Sequence, residues 1–168
     1  MDGTGYDSWL GAGHIVFQGR AGKWGGFSND APYPIVVEGV EWPTVEHYFQ
    51  AAKHPDCPWL QAAIRRSGDR AEAQRLARSR PVRSDWRGVR DTVMLTALRA
   101  KFALHHRLAA LLLSTGDDEL IQHTTRDTYW GRGEMCDGRN RLGELLMLVR
   151  DELSNAKRGA VECPAPSE

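Results

Sequence analysis

Apolar and polar positions change period along the chain. In the first third the apolar residues come in short runs. His14-Ile15-Val16-Phe17 reads as one strand, and residues 34–42, Pro-Ile-Val-Val-Glu-Gly-Val-Glu-Trp, read as extended chain with a turn at Glu38-Gly39. The loop at 22–29 between them is rich in glycine and aromatic residues. From residue 44 the apolar spacing lengthens to threes and fours, which predicts helices over 44–54, 58–66, 69–78, 88–104 and 106–114, the last closed by Gly116 as a C-cap. Residues 119–121 are either a short strand or a turn of helix. A final helix over 141–153 carries Leu142, Leu145, Leu146 and Val149 at core spacing. The fold class is α+β: a mostly helical single domain over 14–153 with a small N-terminal β-sheet. A flexible N-terminus (1–13) and a disordered tail (154–168) are expected to flank it.

The helix at 44–54 has two faces. Pro43 stops the preceding strand, and Thr44 is a good N-cap because its hydroxyl can accept a free backbone N–H. Val45, Tyr48, Phe49 and Ala52 then form an apolar face. Glu46, Gln50 and Lys53 follow the same spacing on a second face, so a carboxylate, an amide and an amine share one stripe. An ordinary surface helix with an i,i+4 polar pair has the same pattern, so this helix alone does not define a site.

Composition narrows the classes. The 168 residues suffice for one domain with a proper core. Lys+Arg and Asp+Glu are equal at 22 each, which argues against a broad polyanion-binding surface but allows a local basic pocket. The three cysteines, Cys57, Cys136 and Cys163, are odd in number and widely spaced, so neither a disulfide framework nor a zinc site is expected. No histidine spacing suggests a metal, and no cofactor is implied. The sequence shows no signal peptide and no run of 18 apolar residues, so no membrane partner is expected and the chain reads as cytoplasmic.

Three other places could carry chemistry. Lys101 lies three residues after Leu98 and seven after Met94, beside the apolar stripe of the long helix. There it is either a desolvated amine able to act as a nucleophile or anion partner, or a lysine whose stem covers the core edge while its head reaches water. Residues 127–133, Asp-Thr-Tyr-Trp-Gly-Arg-Gly, join an acid, two aromatics and two glycines. That suits either a platform for a planar base or a turn pinned by a tryptophan. Residues 138–143, Gly-Arg-Asn-Arg-Leu-Gly, open the last helix. Asn140 is a fair N-cap, and free N–H groups with two arginines could hold a phosphate, although an ordinary capped loop reads the same.

In this order, the pieces resemble the NADAR, or YbiA-like, family. The resemblance covers about residues 14–152. It rests on Phe27-Ser28-Asn29, the Pro43–Lys53 stretch, Arg83-Ser84-Asp85-Trp86, Ala100-Lys101-Phe102, Leu112–Asp117, Asp127–Gly131 and Gly138–Gly143. Each motif is weak alone; seven in sequence are specific.

The resemblance implies an N-glycosidase that cleaves the bond between a base-like nitrogen and ribose. Its substrate would be ADP-ribose attached to guanine in nucleic acid, or an early phosphorylated intermediate of riboflavin synthesis. The partner would thus be a nucleotide-like small molecule or a single modified base. A non-catalytic sensor of ADP-ribose or NAD is the alternative. Glu46 would stabilise positive charge at C1′ or activate water, and Asp127 would be the second carboxylate. In a covalent route either Lys53 or Lys101 would attack C1′. Trp130 and Trp86 would stack on the base. Arg139, Arg141 and the helix start at Asn140 would take phosphate, and Asn29, Gln50 and Gly131 would complete the pocket. Two positions depart from the family pattern. Gln122 stands where many relatives have Glu, and His54 stands where Phe is usual, before Pro55-Asp56-Cys57-Pro58.

Overall fold

The computed structural model describes residues 13–135 and 137–161. The chain groups into two compact units, one formed by Gln18–His105 and the other by the segments on either side of it.

The first unit holds a hairpin and four helices. Strands β2 (Ile35–Val37) and β3 (Val40–Trp42) pair antiparallel, Ile35 opposite Trp42. Glu38 and Gly39 both have positive φ, 52° and 75°, as a two-residue hairpin that follows the strand twist requires. Helices α1 (Val45–Ala51), α2 (Pro58–Arg65), α3 (Arg70–Ala77) and α4 (Trp86–Leu104) follow. Thr44 caps α1, its hydroxyl accepting from the His47 N–H at 3.3 Å. α1 ends earlier than its periodicity predicts. Ala52 still bonds to the Tyr48 carbonyl, but His54 N–H reaches only to Ala51, so the chain tightens into a turn ahead of Pro55. Phe27, Ile35, Val45, Leu60, Ile64, Met94, Leu98 and Phe102 are buried here.

In the second unit β1 (His14–Phe17) pairs in parallel with β4 (Glu119–Gln122), and α5 (His106–Leu113) and α6 (Arg141–Val161) complete it. The strands therefore form two separate pairs rather than one N-terminal sheet. The ambiguous segment at 119–121 is a strand because its backbone finds a partner in β1. Leu120, Leu142, Leu145, Leu146 and Val149 are buried.

α6 runs to Val161, eight residues past its expected end at 153, so the expected disordered tail is helical over 154–161. The added stretch contains Ala156, Lys157 and Arg158, which favour helix, and the first proline after it is Pro164. The expected flexible N-terminus lies outside the described residues except for Gly13, as does the tail from 162 on. No helix among the described residues is long and apolar enough to cross a membrane.

Candidate active site

Glu46 is the centre of the first unit's polar network. It is 3% exposed, and both of its carboxylate oxygens accept hydrogen bonds from side-chain amides. Its Oε2 accepts from Asn29 Nδ2 at 2.6 Å. Its Oε1 accepts from Gln50 Nε2 at 2.9 Å and from Gln74 Nε2 at 2.7 Å. Arg70 Nε lies 4.0 Å from the same Oε1. The backbone fixes this meeting as well, since the Glu46 N–H donates to the Asn29 carbonyl at 2.9 Å. A buried carboxylate is costly unless donors surround it, and here three amides do so.

Lys53 lies just past the end of α1, yet keeps its place in the polar stripe. Its Nζ donates to Gln50 Oε1 at 2.7 Å and stands over the rings of Phe49 (5.4 Å) and Trp86 (5.7 Å). Those rings pack together at 4.9 Å, and the Arg83 N–H bonds to the Lys53 carbonyl. Trp86, two residues ahead of the expected start of the long helix at 88, is the first residue of α4 and is half-buried. Burial lowers the Lys53 pKa; the charge of Glu46 opposes that shift and Arg78 adds to it. A cleft of about 210 Å³ opens here, lined by Gln50, Lys53, Gln74, Ala77, Arg78 and Val82.

Lys101 takes neither of its two expected positions fully. It is fully buried, head included, and its Nζ donates to the Ser28 carbonyl at 2.7 Å. Burial lowers its pKa to about 7, against the pull of Asp30. It anchors the 28–30 loop, from which Asn29 reaches Glu46.

The sequence motifs did not include Gln74, Arg70 or Arg78. They sit on or just after α3, a helix with no unusual pattern; only tertiary packing brings Gln74 and Arg70 to Glu46, and Arg78 bonds to Gln74. Charge was also hidden by its balance. Residues 65–90 contain Arg65, Arg66, Arg70, Arg75, Arg78, Arg80, Arg83, Arg87 and Arg90 against only Asp69, Glu72 and Asp85. His54, the departure from the family pattern, is buried, and its ring Nε2 meets the Ala77 carbonyl at 2.8 Å, tying the turn after α1 to the end of α3. Cys57 is a buried free thiol; Cys136 and Cys163 lie outside the described residues.

The other expected residues belong to the second unit. Asp127 is exposed, and its Oδ1 accepts from the N–H groups of Tyr129 (2.9 Å) and Trp130 (2.8 Å), which shapes the turn. Trp130 is half-buried with Tyr129 edge-on at 5.1 Å, and the Arg139 guanidinium lies 5.7 Å over the Tyr129 ring. Arg141 pairs with Glu144 at 2.6 Å. Gly131 is buried where a Cβ would come within 2.6 Å of Thr124.

Two expectations in this unit are corrected. Asn140 was expected to cap α6 and touch substrate. It has φ 55°, is 2% exposed, and spends its amide on β4: Oδ1 accepts from Gln122 N–H at 2.9 Å and Nδ2 donates to the Leu120 carbonyl at 2.8 Å. The start of α6 was expected to offer free N–H groups to phosphate. Those of Arg141 and Leu142 bond instead to the carbonyls of Tyr129 and Trp130, each at 3.0 Å. The two guanidinium groups remain as the phosphate-binding candidates there. Among the described residues, no group of three or more His, Cys, Asp or Glu side chains could hold a metal ion.

A carboxylate in a cage of amides, with a lysine and a tryptophan beside it, can stabilise a nearby positive charge. The NADAR domain model matches residues 16–154. The chain is 46% identical over 145 residues to N-glycosidase YbiA of Escherichia coli, covering 85% of this chain and 90% of that one. It is 36% identical over 138 residues to N-glycosidase Npun_R5314 of Nostoc punctiforme, covering 79% and 87%. The NMR structure of E. coli YbiA superposes with a TM-score of 0.78 at 41% identity, over 94% of this chain and 96% of that one. The chain belongs to the NADAR family, and its enzyme class is N-glycosyl hydrolase.

Proposed function

We propose that the protein hydrolyses an N-ribosidic bond in a phosphorylated intermediate of riboflavin synthesis, or in ADP-ribosylated guanine. The first substrate class has added support from a relative: the chain is 44% identical over 131 residues to riboflavin biosynthesis protein VVA0006 of Vibrio vulnificus, of which it spans 35%.

The observation that carries the reading is the buried Glu46 carboxylate with donors on both oxygens and Lys53 one amide away. Departure of the base leaves positive charge on C1′ and the ring oxygen. A fixed carboxylate in a poorly solvated place stabilises that charge strongly, because it needs no reorganisation as the charge develops. Trp86 offers a half-buried ring beside Lys53 for the flat leaving group. Of the two lysines, Lys53 is our choice for any covalent step, since it lines a cleft whereas Lys101 has no accessible surface.

The test is incubation with a ribosylamino-pyrimidine phosphate and with ADP-ribosylated guanine DNA, with the free base measured. Base release from one or both, lost in Glu46→Gln, is expected. Folded protein that binds ADP-ribose but releases no base from either substrate would make it a sensor instead. Borohydride trapping of a sugar adduct, abolished in Lys53→Met, would establish the covalent route.

A further inference from the structure

We infer that Gln74 is a positioning residue for Glu46, and that the carboxylate acts on substrate through Oε2. The inference rests on the reading of Glu46 given above.

The two carboxylate oxygens are unequally occupied. Oε1 accepts two amide hydrogen bonds, from Gln50 at 2.9 Å and Gln74 at 2.7 Å, with Arg70 in ion-pair range. Two bonds use both lone pairs of that oxygen. Oε2 accepts from Asn29 alone among the hydrogen bonds found, and keeps a lone pair for C1′ or for a water.

The amides cannot turn round freely. Lys53 donates to Gln50 Oε1 at 2.7 Å, and Arg78 donates to Gln74 Oε1 at 3.3 Å. Lysine and arginine only donate, so each amide must face its cation with oxygen and Glu46 with nitrogen. The result is two matching arms, Lys53–Gln50 and Arg78–Gln74, that converge on one oxygen.

The arms differ in origin. Gln50 lies one turn along α1 from Glu46 and moves with it, so it cannot fix the carboxylate against other elements. Gln74 comes from α3. That helix is capped at its start, where Asp69 accepts from the Glu72 N–H and Glu72 accepts from the Gly68 N–H, both at 2.8 Å, and its first residue, Arg70, is tied to the 28–30 loop by an ion pair with Asp30 at 3.8 Å. Its end is pinned by the His54 ring on the Ala77 carbonyl. A side chain in the middle of a helix held at both ends is a fixed reference for the Glu46 rotamer.

The experiment compares Gln74→Leu, Gln74→Glu, Arg78→Met and Glu46→Gln for kcat, KM and thermal midpoint, using a ribosylamino-pyrimidine phosphate or ADP-ribosylated guanine DNA, whichever the wild type cleaves. Gln74→Leu should lower kcat by about 10- to 100-fold with KM nearly unchanged, because a misplaced catalytic group costs rate rather than binding. Gln74→Glu should lose more activity at about pH 8 than at about pH 5, where protonation relieves the clash of two carboxylates. A purely structural glutamine would give a lower midpoint without that pH dependence. Arg78→Met leaves Gln74 in place and frees its amide to turn, so it should show a smaller loss of kcat, and it serves if Gln74→Leu does not fold. Wild-type kcat in Gln74→Leu or, should that variant not fold, in Arg78→Met, alongside an inactive Glu46→Gln, would overturn the inference. Full activity in Glu46→Gln would instead overturn the reading beneath it.

Discussion

Each unit buries a polar side chain almost completely, and the two solve that cost differently. In the first, Glu46 is satisfied by side chains, Asn29, Gln50 and Gln74, two of which come from other elements. In the second, Asn140 is satisfied by backbone, the N–H of Gln122 and the carbonyl of Leu120. A side-chain cage leaves a charged group with an unused lone pair at a set position. A backbone clamp uses up the amide and fixes the path of the chain. The first arrangement suits chemistry and the second architecture, although both stretches stood out equally as motifs.

The largest effect that sharpens this contrast is expected at Gly143. A Cβ there would sit 2.0 Å from the Leu120 carbonyl oxygen and 2.5 Å from the Asn140 amide nitrogen. Gly143→Ala must push α6 off β4, and a loss of roughly 2–4 kcal/mol in chemical unfolding is expected. A stable Gly143→Ala protein would break the view of this motif as architecture.

Lys101 gives a pH test within the first unit. Burial brings its pKa to about 7 in the folded protein, against 10.5 for an unburied lysine. Between these values the unfolded chain holds the extra proton, so stability from this group rises as pH climbs from about 7 towards 10.5, and below 7 the full burial cost is carried. Lys101→Met should remove that dependence. The unfolding free energies of wild type and variant should shift relative to each other by up to about 1.4 kcal/mol per pH unit across this window. Parallel pH curves would contradict it.

A smaller effect is expected at His54. His54→Phe restores the residue usual in the family but loses the bond to the Ala77 carbonyl. That should cost about 1 kcal/mol in thermal or chemical unfolding and loosen α3 beneath Gln74. The smallest concerns Arg139 and Arg141. Both are at the surface or half-buried, so alanine there should leave stability within about 0.5 kcal/mol while raising KM for a phosphorylated substrate.

Local signals made much of this legible in advance. The Thr44 cap, the Glu38-Gly39 hairpin turn and the spacing of α2 to α5 are set by residues within a turn or two of one another. The Glu46, Gln50 and Lys53 stripe was readable for the same reason. Gln74 was not, because it lies 28 residues from Glu46 and nothing in α3 marks it. Asn140 was misread because its amide bonds with a strand about 20 residues earlier, whereas a capping asparagine has the same sequence neighbourhood. The end of α6 was misplaced because its last turns are polar and carry no core periodicity, although their helix propensity favours continuation.

The most direct measurement is a crossed comparison of Glu46→Gln and Asn140→Ala, each scored for base release per folded molecule and for thermal midpoint. Glu46→Gln should keep a midpoint near wild type and lose roughly 100- to 1,000-fold in kcat. Asn140→Ala should fall by about 2–3 kcal/mol in stability, while the molecules that remain folded keep kcat within a few-fold. The reverse result, an active Glu46→Gln and a stable but inactive Asn140→Ala, would contradict the assignment of chemistry to the side-chain cage and architecture to the backbone clamp.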